Sequence, residues 1–522
     1  MPKQTTEHLL DLIKSLTKGE KRHFRLFVNR TNTKEEKLFI LLFEHLDKYG
    51  SYDEASILEK IPKIKRRQLS NLKAHLYKQL LISLRQQNRQ HHLDMQLREN
   101  LDYAKILYSK GMYRASLQIL DKTKRIALDN QLYSQALTVL EFEKHIESQH
   151  ITGSMYPKAE QLTKETQSVI ERLRLRHKLS DLSLSLYGLY LQYGYVKDQK
   201  DRQYITDYFE SHLPKYRLSE MDFHEKMFLF QSFVWYHYMS QDFINFYRYA
   251  QKWVDLFDEY PAMISDKMPL YLKALHNLLS AYFMAGRLDK FLPVYQKLLH
   301  FNQGGSYVLS KNETFLHILF KHIHSINRIF LSGDYEDGVS QMSDLAELLN
   351  SGEYQWDLNR LMNFYYKMGC VYFAAGDLDN AIECLNKVTN QVVPNFREDI
   401  QCYARILNLI AHFDLGNDLL VSYQIKSTYR YLLKAKQDER ILKEIFTFLR
   451  KTTRMLESEL KREFIMLKKK LENLENDQYE RRPLLYLDII SWLDSKINHR
   501  SMAESIRHRL SQKALERDLT TS

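Results

Sequence analysis

Histidine, cysteine and paired acidic side chains build metal sites and acid–base catalysts, and their spacing decides whether they can converge. His317, His322 and His324 fall on one predicted helix at i, i+5 and i+7. That spacing puts His317 and His324 on one face and His322 off it, whereas zinc helices use i, i+3 or i, i+4. The three cysteines, Cys370, Cys384 and Cys402, are separated by 14 and 18 residues. With no CxxC pair, neither a zinc knuckle nor a redox motif is legible, and buried reduced thiols are expected. Gly304-Gly305 stands in a loop from Asn302 to Ser306 without a following Lys-Ser/Thr, so it is not a phosphate cradle. Asp377 and Asp379 sit in a turn before an apolar run, where Asp satisfies the free N–H groups of a helix start. GxGxxG, HExxH and GxSxG strings are absent. No set of side chains reads as a shared catalytic pocket. The expectation is a protein that is not an enzyme, with no cofactor and no metal.

The sharpest chemical signal outside these groups is positive charge. Between Lys60 and Leu93 there are nine Lys/Arg and no Asp or Glu. Residues 1–90 hold 19 basic against 10 acidic side chains, residues 91–439 hold 39 against 42, and residues 440–522 hold 18 against 13. Most of the net charge of +11 therefore sits at the two ends. Lys63, Lys65, Arg66 and Arg67 precede a long amphipathic helix carrying Lys73, Lys78 and Arg85, and they are the candidates for phosphate contact. A short helix, a turn at Pro62 and this long helix loosely resemble a helix-turn-helix. Two other readings stay open for the same run: a solvated basic face, or a dock for an acidic protein.

These side chains must be positioned by long elements. In 522 residues there are only 15 Gly and 9 Pro, under half of average usage. Scarce helix breakers and abundant Leu, Lys, Glu and Gln predict long helices joined by short loops. The 35 Tyr and 26 Phe could stack on bases, but Tyr282, Tyr335 and Tyr372 fall where helical hairpins pack. The N-terminus carries Glu7 and Asp11 within its apolar pattern and has no small-residue cleavage site, so a secretory signal is not expected. No stretch approaches the ~18 uncharged apolar residues of a membrane span. A cytoplasmic protein without membrane partners is expected.

The central region repeats. Residues 282–291 and 372–381 share a Tyr four before a Gly and an apolar residue two after it, Tyr282–Gly286–Leu288 and Tyr372–Gly376–Leu378. Residues 329–338 and 107–116 follow the same offsets around Gly333 and Gly111, and weaker copies place turns near Gly153, Gly194, Gln241 and Gly416. Successive turns then lie 40 to 47 residues apart. Such a period is the mark of stacked helical hairpins, each too small to bury its apolar face alone.

Residues 362–394 resemble a tetratricopeptide repeat. Tyr365, Met368-Gly369, Tyr372, Gly376, Ala381, Leu385, Val388 and Pro394 occupy its pattern positions, Pro394 one residue late. The looser resemblance covers about residues 95–435, with steps longer than the ~34 residues of the standard repeat. A second resemblance runs over nearly the whole chain, carried by Ile13 to Phe24, Ala404 to Gly416, Ser427 to Leu432 and Tyr486 to Asp494. It is to a family of cytoplasmic bacterial repeat proteins common in the Bacteroidetes, and it implies fold and compartment without a mechanism.

Together these readings predict an all-α chain, an α-solenoid of tetratricopeptide-like hairpins. Its parts are a basic helical N-terminal domain (1–90), the repeats (91–437) and long charged C-terminal helices capping the array (438–522). Transferring the tetratricopeptide offsets implies an inner face lined by Lys273, His276, Phe283, Asn327, Phe330, Asn363, Tyr366 and Phe373, which would hold a peptide or a partner helix. The expected function is a protein–protein interaction scaffold. The alternative is a nucleic-acid-binding regulator, with the basic domain on phosphates and the repeats as sensor.

Overall fold

The computed structural model describes residues 2–29, 36–89, 92–149, 155–391, 398–434, 440–452, 455, 457–475, 477, 479–480, 484 and 488–521. Gly153, Pro394, Pro483 and the expected domain boundaries at 90/91 and 437/438 lie outside the described residues. Among the described residues all regular structure is helical. The chain forms two compact units, 1–174 and 175–522.

The first unit begins with α1 (Pro2–Ser15), α2 (Lys18–Asn29), α3 (Glu36–Tyr49), α4 (Glu54–Lys60) and α5 (Leu69–Asn88). Their apolar faces meet around Leu9, Ile13, Phe24, Phe39, Phe43 and Leu76, all 1 % exposed or less. Then come α6 (Leu93–Ser109), α7 (Tyr113–Asp129), α8 (Tyr133–Gln149) and α9 (Met155–Tyr193). The turn between α7 and α8 is made by Gln131 with φ +58°, a turn with no Gly to announce it. Elsewhere the chain breaks between the second helix of one hairpin and the first of the next. Residues 155–193 instead run on as one helix of 39 residues. The reason is local, since no Gly or Pro falls between Pro157 and Gly188. The division between the units falls within this helix.

The second unit continues with α10 (Gln199–His212), α11 (Phe223–Met239), α12 (Phe243–Glu259), α13 (Ala262–Asp266), α14 (Met268–Met284) and α15 (Leu288–His300). Next are α16 (Lys311–Ser332), α17 (Tyr335–Asn350), α18 (Leu358–Ala375), α19 (Leu378–Thr389), α20 (Glu398–Asp414) and α21 (Asp418–Lys434). It ends with α22 (Arg440–Thr452), α23 (Glu457–Glu475), α24 (Ile489–Asn498) and α25 (Met502–Thr521). The hairpin turns fall where the repeat predicts them. Gly376, with φ +86°, ends α18, and the Asp377 N–H donates to the Tyr372 carbonyl at 2.9 Å. The Asp377 carboxylate then accepts from the Asn380 N–H, which starts α19. Its role is thus a helix cap.

Successive hairpins stack through their first helices: α14 packs on α16, α16 on α18 and α18 on α20. Small residues allow the close approach within a pair. A Cβ on Gly338 would lie 2.9 Å from Ile329, and one on Gly369 would lie 3.0 Å from Leu385. One continuous core results, from Leu179 to Ile506. The C-terminal helices do more than follow the last hairpin. The Trp492 Nε1–H donates to the Asp414 carboxylate at 3.0 Å, and Lys496 pairs with the same group at 2.9 Å. Further on, α25 lies against α16 and α18, where Arg507 pairs with Glu336 at 3.0 Å and donates to the Gly333 carbonyl.

Candidate functional site

In the second unit, first helices of successive hairpins contribute side chains to one cavity of about 220 Å³. The wall is built in order by Tyr190 of α9, Tyr238 of α11, His276 and Phe283 of α14, Asn327 of α16, Asn363, Tyr366 and Lys367 of α18, and Tyr403 of α20. Helical period sets this. A first helix buries one side against its own partner and two flanks against neighbours, leaving one stripe at i, i+3, i+4 and i+7 for the wall. His276, Ser280 and Phe283 are such a stripe on α14, and Arg360, Asn363 and Lys367 are one on α18.

The apolar part of the wall is aromatic. Tyr190, Tyr195 and Tyr238 pack edge to face or tilted with centroids 4.9 to 5.7 Å apart. Phe283 stands across from Lys367, whose ammonium lies 5.7 Å from the ring centroid.

The polar part is a hydrogen-bonded chain with a fixed direction. Lys367 Nζ donates to Asn327 Oδ1 at 2.8 Å. Lysine has donors only, so this contact fixes the Asn327 amide with its NH₂ toward His324 Nδ1, 3.3 Å away. His324 Nδ1 is then an acceptor, and its hydrogen is on Nε2, which donates to His276 Nδ1 at 2.9 Å. His276 must carry its own hydrogen on Nε2. A second proton on either ring would set two N–H groups against each other. Burial is the largest cause that pushes the His276 imidazole down to about 3, followed by the charges of Lys367 and Lys273. His324 is held well below its ordinary value, first by burial and then by His276 and Lys367.

The inner-face candidates divide. His276, Phe283, Asn327, Asn363 and Tyr366 line the cavity together. Tyr366 is buried in the cavity lining, one helical turn before Cys370. Asn363 Nδ2 donates to the Asn359 carbonyl at 2.9 Å. Lys273 does not line the cavity; it is exposed, with its ammonium 5.7 Å from the Tyr187 ring, and desolvation by surrounding protein lowers its pKa. Phe330 and Phe373 lie elsewhere, in a second and smaller cavity that Ile489, Trp492, Met502 and Ile506 of the C-terminal helices close over.

Residues that transferred offsets did not find complete the wall: Arg360, Lys367, Asp399, Tyr190, Tyr195, Tyr238 and Tyr403. Arg360 and Lys367 had a legible signal, one helical turn before and after Asn363. The tyrosines of α9 and α11 sit in degenerate repeats with no pattern to transfer.

The histidines with i, i+5, i+7 spacing do not converge. His317 donates to the Leu298 carbonyl at 2.9 Å, while His324 belongs to the chain above. Among the described residues no three His, Cys, Asp or Glu side chains come together as metal ligands, and no helix is long and apolar enough to cross a membrane. In the first unit, Lys63, Lys65, Arg66 and Arg67 are all exposed on the connection between α4 and α5, and Arg66 is paired with Glu54 at 2.7 Å. Residues 61–65 separate α4 from a single 3-10 turn, Arg66–Gln68, that runs directly into α5. No known protein-family model matches the chain, and no curated protein matches it.

Proposed function

We propose that this chain is a non-catalytic, cytoplasmic interaction scaffold. In this reading its hairpins form a tetratricopeptide-like solenoid whose inner face holds a peptide or a partner helix. The observation that carries the reading is the wall itself. Side chains of α9, α11, α14, α16, α18 and α20, one helix from each successive hairpin, meet at a single aromatic and cationic surface. Repeat proteins use such a surface to read an extended or helical ligand, one repeat per segment. Three free and buried cysteines agree with a reducing compartment.

A peptide-display library panned against the full chain tests this. Enriched sequences should share a motif, bind with micromolar affinity, and lose about tenfold or more in Arg360→Ala or Asn363→Ala, the cost of a charge-assisted or buried hydrogen bond. Selection of no common motif, or affinities indifferent to both substitutions, would count against the scaffold. Purification from a native lysate with and without nuclease separates it from the regulator. Partners lost on nuclease treatment favour nucleic acid.

A further inference from the structure

Helix α21 carries two stripes at helical spacing, and the fold uses only one of them. Val421, Ile425, Thr428 and Leu432 are buried, and the helix packs on α20 and α22. Leu419, Tyr423, Lys426, Arg430 and Leu433 form the other stripe, two residues out of phase with the first. Two residues are about 200° around a helix, so the second stripe faces away from the core. All five of its side chains are exposed, Leu419 at 91 %, Tyr423 at 78 % and Leu433 at 59 %. Leu420 and Tyr429 stand exposed beside them. Apolar side chains gathered in this way mark an interaction surface, whereas single ones need no explanation.

Spacing and charge say what would cover it. The stripe advances by steps of 4, 3, 4 and 3, the seam spacing along which one helix packs on another. Its two central positions are cations. Neither Lys426 nor Arg430 is paired with a carboxylate among the described residues. The acid of α21, Asp418, lies in the first turn, where it suits the helix start, and none follows from Leu419 to Lys434. A second copy on the same face would set Lys426 and Arg430 against their own counterparts, which repel. A lipid surface favours cations at the rim of an apolar stripe, where they reach the headgroups, not at its centre. A helix with carboxylates opposite the two cations meets both the spacing and the charge.

We propose that this face of α21 docks an amphipathic helix of a partner protein, apolar at both ends of its seam and acidic at the two central seam positions. The surface goes beyond the scaffold reading, since no residue of α21 lines the wall cavity.

A synthetic helical peptide, stapled on its far side, tests this. Its seam reads Leu-Leu-Glu-Glu-Leu-Leu, the same in either direction, and a control carries Lys in place of the two Glu. By fluorescence anisotropy the full chain should bind the Glu peptide with micromolar affinity and the Lys peptide about tenfold more weakly, because two attractions become two repulsions. Leu419→Ser/Tyr423→Ser should weaken the Glu peptide by about tenfold or more. Lys426→Glu/Arg430→Glu should reverse the preference, and that gain of Lys-peptide binding cannot arise from unfolding. No binding of the Glu peptide, equal binding of both peptides, or a preference that the reversed charges leave unchanged would each overturn the proposal. So would sedimentation with phosphatidylserine vesicles, or self-association of the chain, if either is lost in Leu419→Ser/Tyr423→Ser. Peptides selected against the wall cavity are read separately, through Arg360 and Asn363, so either reading can fail alone.

Discussion

Gly369 and Ala381 show how close the paired helices of a hairpin come. A single carbon added at Gly369 would meet the Leu385 side chain at 3.0 Å and the Ala381 carbonyl oxygen at 3.4 Å. Ala381 itself is fully buried. Ala381→Leu should therefore overpack the α18–α19 contact and cost about 1–3 kcal/mol. A thermal melt reads this, and an unchanged midpoint would contradict the tight packing. Both positions could be read from the chain, because a small residue on each helix belongs to the repeat pattern. The histidine chain could not. His276 and His324 are 48 positions apart, and only the stacking of α14 on α16 brings them to 2.9 Å. Lys367 is intermediate. Its place one turn after Asn363 put it on the right stripe, but its bond to Asn327 crosses between helices.

Helices in the first unit are tied by a buried ion cluster as well as by apolar packing. Lys124 of α7 reaches Glu143 of α8 and Glu165 of α9, each at 2.8 Å, and Lys158 meets the other oxygen of Glu143. Lys124 is 4 % exposed and Glu143 2 %. Burial alone lowers the Lys124 pKa, but its hydrogen bonds to Glu143 and Glu165 outweigh that and leave it raised. Removing the ammonium would strand two carboxylates, one of them deeply buried. Lys124→Met should cost about 3 kcal/mol, the lower end for a broken buried pair because Lys158 still serves Glu143. Urea denaturation followed on the first unit checks it, and a loss below ~1 kcal/mol would mean that water reaches the site. Also at this scale, the basic run takes the form of an exposed connection before α5. On duplex DNA at ~150 mM salt the full chain should show no submicromolar binding, since Arg66 is already paired with Glu54. Submicromolar binding that falls by about 0.9 in log affinity per phosphate contact with log salt, and is lost when Lys63, Lys65, Arg66 and Arg67 become Ser, would restore the regulator.

For the molecule as a whole, buried histidines set the response to acid. Burial pushes His224 and His322 down to about 4 and His276 to about 3. In the unfolded chain each titrates near ~6.5. Between these values the unfolded state binds protons that the folded state refuses, so stability rises with pH. The contribution is complete above the unfolded pKa and is lost as pH falls from about 6.5 toward the folded values. Urea midpoints should therefore be lower at pH 5 than at pH 7, and a His224→Asn/His322→Asn variant should show a smaller difference. A midpoint that does not fall on acidification would mean that these rings are protonated in the folded state.

What the sequence determined by itself was what short-range rules govern. Scarce Gly and Pro, apolar stripes at helical spacing and Gly-centred turns such as Gly286, Gly333 and Gly376 specify all-helical hairpins, because each depends on residues within one or two turns of one another. The same rules missed the Gln131 turn, where a non-glycine residue takes a left-handed conformation, and the unbroken run of α9. The tertiary structure alone decided which stripes share a space. Phe330 and Phe373 sit three residues before their hairpin Gly, as Phe283 does, yet α24 and α25 cover them, and Arg507 of α25 reaches Glu336 across 171 residues. Such a contact depends on how the hairpins before it have stacked, and no local pattern in the chain encodes it.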